Sequence, residues 1–359
     1  QRCNGSPIPP ALSTSNSEDY IVREIPDRPL AGIVSGCMIA VLGLLAVLEV
    51  SARRNGVLAS RDRNMVFWQN HRLSLDSQAS DTTVCLGASR ITFGIDQDQW
   101  EDITGERPYN LGLWGASSLP MLNDCAENTS INGKVLCSLS GGFAFANEKI
   151  PFSFRISKAI QDLDRNRYSF TLRSKDWTGP MLQARFAVLN PAIFSPVEIL
   201  RENLRFSTRP NEIAWFHIPY TVHHTEENQD IFIDDLSDPY YLHQWDTMHQ
   251  TALEYMARFE PRDLDIAIAQ IIKNVKQIEA RGGEVIFVNF PVSRFFKEWE
   301  NQRFPREKYW DEIIEQSGCR GFHYLDHEKT KDLSPPDGSH LMPDEAKIFT
   351  RELAKFVNE

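Results

Sequence analysis

Three side chains from two distant stretches of this 359-residue chain could together make an activated nucleophile: Ser89, Asp337 and His340. A serine hydroxyl attacks an acyl carbon only when a base takes its proton. That base needs an acceptor on its other ring nitrogen to hold one tautomer. Asp337 and His340 are three residues apart in Asp337-Gly-Ser-His340, so one turn can present both, with the carboxylate close enough to fix the imidazole. Gly338 gives that turn conformational freedom. Taken singly, each piece has an ordinary reading, a loop or capping serine and a surface turn before a helix. The chemistry rests on their conjunction.

The elements around them decide whether they can meet. Residues 82–86 form a β-branched, apolar run that reads as a buried strand; it stops at Gly87 and hands Ser89 to a loop and a helix. The carboxyl end of a buried parallel strand opens onto a crevice, and the free N–H groups of a following helix turn favour negative charge there. Helices are expected near 97–103 and 119–126, and strands near 108–113 and 134–139. A helix over 263–280 carries Leu264, Ile268, Ile271, Ile272, Val275 and Ile278 at helical period and stops at Gly282-Gly283. Strands at 284–290 and 321–325, a polar helix ending near 316 and a final helix from Pro343 complete the pattern. Such alternation predicts an α/β fold with a parallel sheet covered on both faces. Residues 149–262 break the rhythm, with Trp177, Trp215, Tyr220, Tyr240, Tyr241 and Trp245 among proline-containing turns. They read either as an insertion or lid beside the sheet's carboxyl edge, or as an irregular part of the core.

Ahead of the domain, residues 1–28 are polar and without hydrophobic period, and read as a flexible tail. No charge occurs from Leu30 to Leu48, which predicts a single membrane-spanning helix over 29–50. A buried core helix of that length would show a polar face, and a cleaved signal peptide has a shorter apolar run and no long, partly acidic leader. Residues 51–80, with Phe67-Trp68 their one apolar cluster, read as a linker to a domain over 81–359. Arg53, Arg54, Arg61 and Arg63 after the span outnumber Arg23 and Arg28 before it. The positive-inside tendency would leave the domain in the cytoplasm, although long domains translocate regardless of such charges.

With 38 basic against 49 acidic residues, the composition argues against a nucleic-acid partner. The six cysteines show no CxxC spacing, and Cys85 and Cys137 fall in expected strands as small core residues. His217, His223, His224, His243 and His249 contain no HExxH or other rigid ligand pair, so neither metal nor cofactor is expected.

The order of these blocks resembles the SGNH, or GDSL-like, hydrolase superfamily over about residues 82–148 and 263–357. Gly87-Ala-Ser89 resembles its first block, Asn110-Leu-Gly-Leu-Trp-Gly115 its second, and Asp337-Gly-Ser-His340-Leu341 its fifth. The resemblance implies a flavodoxin-like three-layer sandwich with Ser89 as nucleophile, His340 as base and Asp337 as its orienting acid. The Ser89 and Gly115 N–H groups would form the oxyanion hole. It is closest to membrane-anchored bacterial members related to envelope-polysaccharide O-acyltransferase proteins. That implies a single-pass inner-membrane protein with an extracytoplasmic domain. Its partners would be the lipid bilayer through residues 29–50, an acylated carbohydrate or lipid-linked substrate, and a membrane acyl-donor protein. The third block departs from the family: where Gly-x-Asn-Asp is expected, the chain reads Leu139-Ser-Gly-Gly-Phe-Ala-Phe-Ala-Asn147. Asn147 is then the candidate third oxyanion donor through a rearranged loop, or there is no such donor. Arg90 is open between binding an acidic substrate group and a structural salt bridge. Two functions follow. One is a serine esterase or O-acyltransferase working through an acyl-serine. The other is an inactive SGNH-like domain serving as a membrane-tethered polysaccharide-binding or assembly subunit.

Overall fold

A computed structural model of the chain describes residues 30–60, 65–163, 178–179, 181–190, 221–233, 236 and 238–359. The expected tail over 1–28, together with Trp177, Trp215, His217 and Tyr220, lies outside the described residues. Helix α1 (Leu30–Arg54) has 25 residues and is long and apolar enough to cross a membrane. At 1.5 Å per residue it extends about 37 Å, more than the ~30 Å of a hydrocarbon core. From Leu30 to Val47 its side chains are exposed, whereas a core helix would bury them. The chain divides after Val47 into two compact units, and Leu48–Glu359 forms the second.

The linker reading fails over part of 51–80. Residues Met65–Leu75 form helix α2, which buries Trp68 and Leu75 in the core of the second unit. The Trp68 indole N–H donates to the Leu111 carbonyl at 2.9 Å. Arg72, also buried, donates to Asp124 at 2.5 Å and to Asp76 at 2.9 Å. An arginine paired in this way behaves as a core residue, so the domain begins before residue 81.

Five parallel strands make the central sheet: β1 (Val84–Leu86), β2 (Tyr109–Asn110), β3 (Lys134–Ser138), β6 (Glu284–Asn289) and β7 (Arg320–His323). Their order is β2-β1-β3-β6-β7. Successive side chains of a strand point to opposite faces. Val84, Leu86, Val135, Cys137, Val285 and Phe287 accordingly pack into one apolar cluster with α2, α5 (Ser118–Asn128), α7 (Pro151–Gln161) and α9 (Leu264–Glu279). Cys85, Leu136, Ile286, Val288 and Phe322 pack into another with α3 (Ser89–Gly94), α4 (Gln97–Thr104) and α11 (Pro343–Asn358). Helices thus cover both faces, as the alternation of elements requires. Strand β2 is shorter than the expected 108–113. The backbone N–H groups of Leu111 and Leu113 nevertheless still donate to the Cys85 and Gly87 carbonyls, at 2.8 and 2.9 Å. That holds the Trp114 segment beside the turn that presents Ser89.

Between β3 and α9 lie α6 (Gly141–Ala144), α7, a two-stranded antiparallel hairpin of β4 (Val222–His224) and β5 (Asp230–Phe232), and α8 (Pro239–Met256). Asp238 caps α8 through the Tyr240 N–H and Pro239 fills its first turn. Trp245 of α8 and Phe232 of β5 share a buried cluster with Phe93 of α3, so this part of 149–262 packs against the helix that begins with Ser89.

Candidate active site

Ser89 is the first residue of α3, directly beyond the carboxyl end of β1. The turn between them is tight. A Cβ on Gly87 would lie 2.7 Å from the Ser138 Cβ and 3.2 Å from the Ile91 Cγ2, so only glycine lets β1 turn into α3 this closely to β3. Among the described residues no side chain caps α3, so its first N–H groups stand at the end where negative charge is favoured.

The loop carrying Asp337 and His340 is fixed from within. Gly338 has φ 89°, a left-handed conformation that a side chain there would strain. One Asp337 oxygen accepts from the Ser339 and His340 backbone N–H groups at 2.9 and 2.8 Å. The other lies 2.6 Å from His340 Nδ1. The loop is also tied to the strand end after β6, where the Ser293 N–H donates to the Gly338 carbonyl at 3.1 Å. His340 Nε2 then lies 2.6 Å from Ser89 Oγ, across 251 residues of sequence. An Nδ1–H held by the carboxylate leaves Nε2 as the acceptor for the serine proton.

Arg90 explains how two such distant segments keep this register. Its guanidinium is buried, and it donates to both Glu300 oxygens at 2.7 and 3.2 Å and through Nε to Ser339 Oγ at 3.1 Å. Glu300 is on α10 (Arg294–Arg303), and Ser339 sits between the acid and the base. Of the two readings left open for Arg90, these bonds match the structural salt bridge: three of its five N–H donors go to Glu300 and Ser339, tying α3, which begins with Ser89, to the Asp337–His340 loop.

Electrostatics follow from burial. Burial alone would raise the Asp337 carboxyl. The charge and hydrogen bond of His340, the charge of His249 and the Ser339 N–H outweigh it and hold the acid well below the usual carboxylate range. Burial pulls the His249 imidazole down to about 3, only partly opposed by the Asp337 charge and a hydrogen bond with the Asp337 backbone. His249, on α8, is therefore neutral near pH 7, and its Nδ1 has no hydrogen-bond partner among the described residues. Around the His340 ring stand Phe93, Trp245, His249 and Trp114, with ring centroids 4.4, 5.3, 5.4 and 6.3 Å away. These walls exclude water from an imidazole whose two nitrogens are both engaged.

Trp114 is itself positioned by the hairpin. Its indole N–H donates to Asp230 at 2.6 Å, and the same carboxylate lies 2.5 Å from His224 Nδ1 and against the Thr92 hydroxyl. Thr92 Oγ1 is also 2.8 Å from the Ser89 carbonyl, so Asp230 ties the hairpin, the Trp114 segment and α3 into one network.

Of the expected oxyanion donors, the Ser89 N–H is at the helix start. No hydrogen bond engages the Gly115 N–H among the described residues. Asn147 is placed otherwise. Its amide donates to the Glu260 carbonyl at 2.9 Å and its oxygen accepts from the Lys149 N–H at 3.0 Å. The rearranged loop that would bring it to the site is not the one observed, because Asn147 is engaged between the α6–α7 loop and the segment that joins α8 to α9. Among the described residues one cluster could hold a metal: ligand atoms of His249, Asp337 and His340 lie within 4.8 Å of one another. An ion there would have to take His340 from its bonds with Asp337 and Ser89.

Sequence reading missed Trp245 and Phe93 as walls and took His249 only as a metal candidate. A signal existed. Phe93 is one helical turn after Ser89. Leu242, Trp245, His249, Leu253 and Met256 follow the Asp238-Pro239 start at helical spacing. No family model matches this sequence, and no curated protein matches it.

Proposed function

We propose that this chain is a membrane-anchored serine esterase or O-acyltransferase of SGNH-like fold, acting on a carbohydrate or lipid-linked envelope substrate at the outer face of a bacterial inner membrane. One observation carries the reading: Ser89 Oγ, His340 and Asp337 in a continuous line of 2.6 Å contacts at the carboxyl end of β1. The strand order also supports it. Counting only sheet strands, it reads 2-1-3-4-5, the doubly wound flavodoxin-like order, in which ligands bind beyond the strands' carboxyl ends.

In the proposed reaction, Ser89 Oγ attacks the acyl carbon while its proton passes to His340 Nε2. Asp337 stays ionised and stabilises the imidazolium. The Ser89 and Gly115 N–H groups receive the negative charge on the former carbonyl oxygen. Collapse breaks the ester bond, the leaving alkoxide takes the proton from His340, and an acyl-serine remains. Water or a sugar hydroxyl then repeats the sequence in reverse, giving hydrolysis or transfer.

Asn147 favours a second reading, an inactive polysaccharide-binding or assembly subunit, because a missing oxyanion donor typically costs about 3–4 kcal/mol of transition-state stabilisation. Treating the full chain with a fluorophosphonate probe and with p-nitrophenyl acetate separates them. Labelling and turnover that vanish in Ser89→Ala support the enzyme; equal signals from both proteins overturn it.

A further inference from the structure

We infer that residues 182–189, with Leu58 beside them, form a lipid-surface contact that seats the domain against the membrane. This rests on the reading of α1 as a membrane span. The uncharged run of the sequence ends at Leu48, which by sequence puts residues 48–54 at the membrane–water boundary. Those residues belong to the same compact unit as the domain. They are bonded to it. The Glu49 carboxylate accepts from the Ala187 and Val188 backbone N–H groups at 3.2 and 2.8 Å, and Arg53 donates to the Arg185 carbonyl at 2.7 Å. Ala52 is buried in this contact region, and Asn190 donates to the Leu58 carbonyl at 3.0 Å. A free tether would make none of these bonds.

The surface beside this junction is apolar in the wrong place for water. Outside α1, eight large hydrophobic side chains are exposed among the described residues, and four of them are Leu58, Leu182, Phe186 and Leu189, at 45, 44, 42 and 38 %. All four are in the two segments bonded together next to α1's last turns. Arg53, Arg54 and Arg185 accompany them, which suits anionic headgroups above an apolar layer. A lipid interface at this height satisfies both the apolar side chains and the arginines.

The position also bears on the substrate of the proposed site. Ser60 is six residues past Arg54, at most about 20 Å of extended chain. Its Oγ accepts from the His224 N–H at 3.3 Å, and His224 reaches the Trp114 wall through Asp230. One wall of the site therefore hangs from the juxtamembrane segment, which fits an acyl ester presented at the lipid surface better than a freely diffusing one.

Nitroxide labels on the full chain in nanodiscs containing anionic lipid test the contact, in a Cys3→Ser, Cys37→Ser background. Phe186→Cys and Leu189→Cys are expected to meet oxygen more readily than a water-soluble nickel chelate, and Ile266→Cys on α9 the reverse. Chelate access at 186 and 189 equal to that at 266, while Leu42→Cys reports lipid, overturns the surface contact and leaves the anchor standing. Water access at Leu42 overturns the anchor and the contact together. With a Leu182→Ser, Phe186→Ser, Leu189→Ser chain, turnover of a vesicle-borne acyl ester should fall at least tenfold and that of p-nitrophenyl acetate stay within twofold. Equal changes on both substrates overturn the assignment of a lipid-presented substrate.

Discussion

Two imidazole–carboxylate pairs flank Trp114, and they differ in what the outer nitrogen meets. In His340–Asp337 the partners are three residues apart on a glycine turn, and Nε2 lies on the Ser89 hydroxyl. In His224–Asp230 the partners are directly opposite across the antiparallel hairpin, and among the described residues Nε2 has no such hydroxyl. The carboxylates differ as well. Asp337 spends its second oxygen on the loop's own N–H groups, while Asp230 gathers the Trp114 indole and the Thr92 hydroxyl. The pairing of acid and base is thus common to both. What makes one pair a catalytic candidate is the hydroxyl brought to it, and what makes the other a scaffold is the number of elements its carboxylate ties down.

The largest expected effect tests that distinction. His340→Ala should lower acyl-ester turnover by about 10⁴-fold or more, because the base and its acid act as a unit with the nucleophile. His224→Ala should lower it less than tenfold in the same stopped assay. Losses of similar size would show that the second pair takes part in the chemistry and that the comparison is wrong.

Next in size is the clamp that brings the hydroxyl to the first pair. Arg90→Met leaves Glu300 buried without its partner, which should cost about 3–5 kcal/mol in urea unfolding. Arg90→Met with Glu300→Leu should recover most of that stability, because the uncompensated charge is gone. If the clamp also sets register, the double variant will be stable yet slow, since the Ser339 bond that holds the acid–base loop on α3 is missing. A stable double variant with wild-type turnover would reduce Arg90 to a stability element.

These residues also mark what the sequence made legible. Ser89 after a β-branched run, Asp337 and His340 on a glycine turn, and the apolar period of α9 are local patterns, and each sits where expected. Arg90 stayed open between two readings and α2 was misread, because their burial depends on partners far away in sequence. Arg72 enters the core only because Asp124 meets it, and Arg90 only because Glu300 and Ser339 do. A count of apolar residues scores such positions as surface. The hairpin escaped for another reason: its strands have three residues each, too few to establish a period of two.

Acid should weaken the fold through its buried histidines. His249 is pulled down to about 3 and His323 to about 4 by burial, both below the ordinary histidine value of about 6.5. The native state therefore binds fewer protons than the unfolded chain between those values. Their contribution is fully present above pH 6.5 and lost as pH falls toward 4 and 3. Asp337, held low, adds a loss of the same sign below about pH 4. Unfolding free energy should drop by about 1–2 kcal/mol between pH 7 and pH 5 through His249 alone, and His249→Gln should flatten the slope by that amount. An unchanged slope would mean the ring already charges at its ordinary value.

The smallest expected effect is the most informative about the oxyanion. Asn147 is bonded to the Glu260 carbonyl and the Lys149 N–H, so Asn147→Ala should change turnover less than threefold while loosening the loop before α7. A donor that acts on the developing oxyanion would instead cost about 10²–10³ in kcat when removed. Such a loss, with KM unchanged, would mean that substrate draws Asn147 away from Glu260 and completes the missing block only in the complex. The negligible loss leaves the two backbone N–H groups of Ser89 and Gly115 to carry the charge. A Gly115→Ala chain should then lose more than Asn147→Ala, because a side chain there would move one of the two remaining donors.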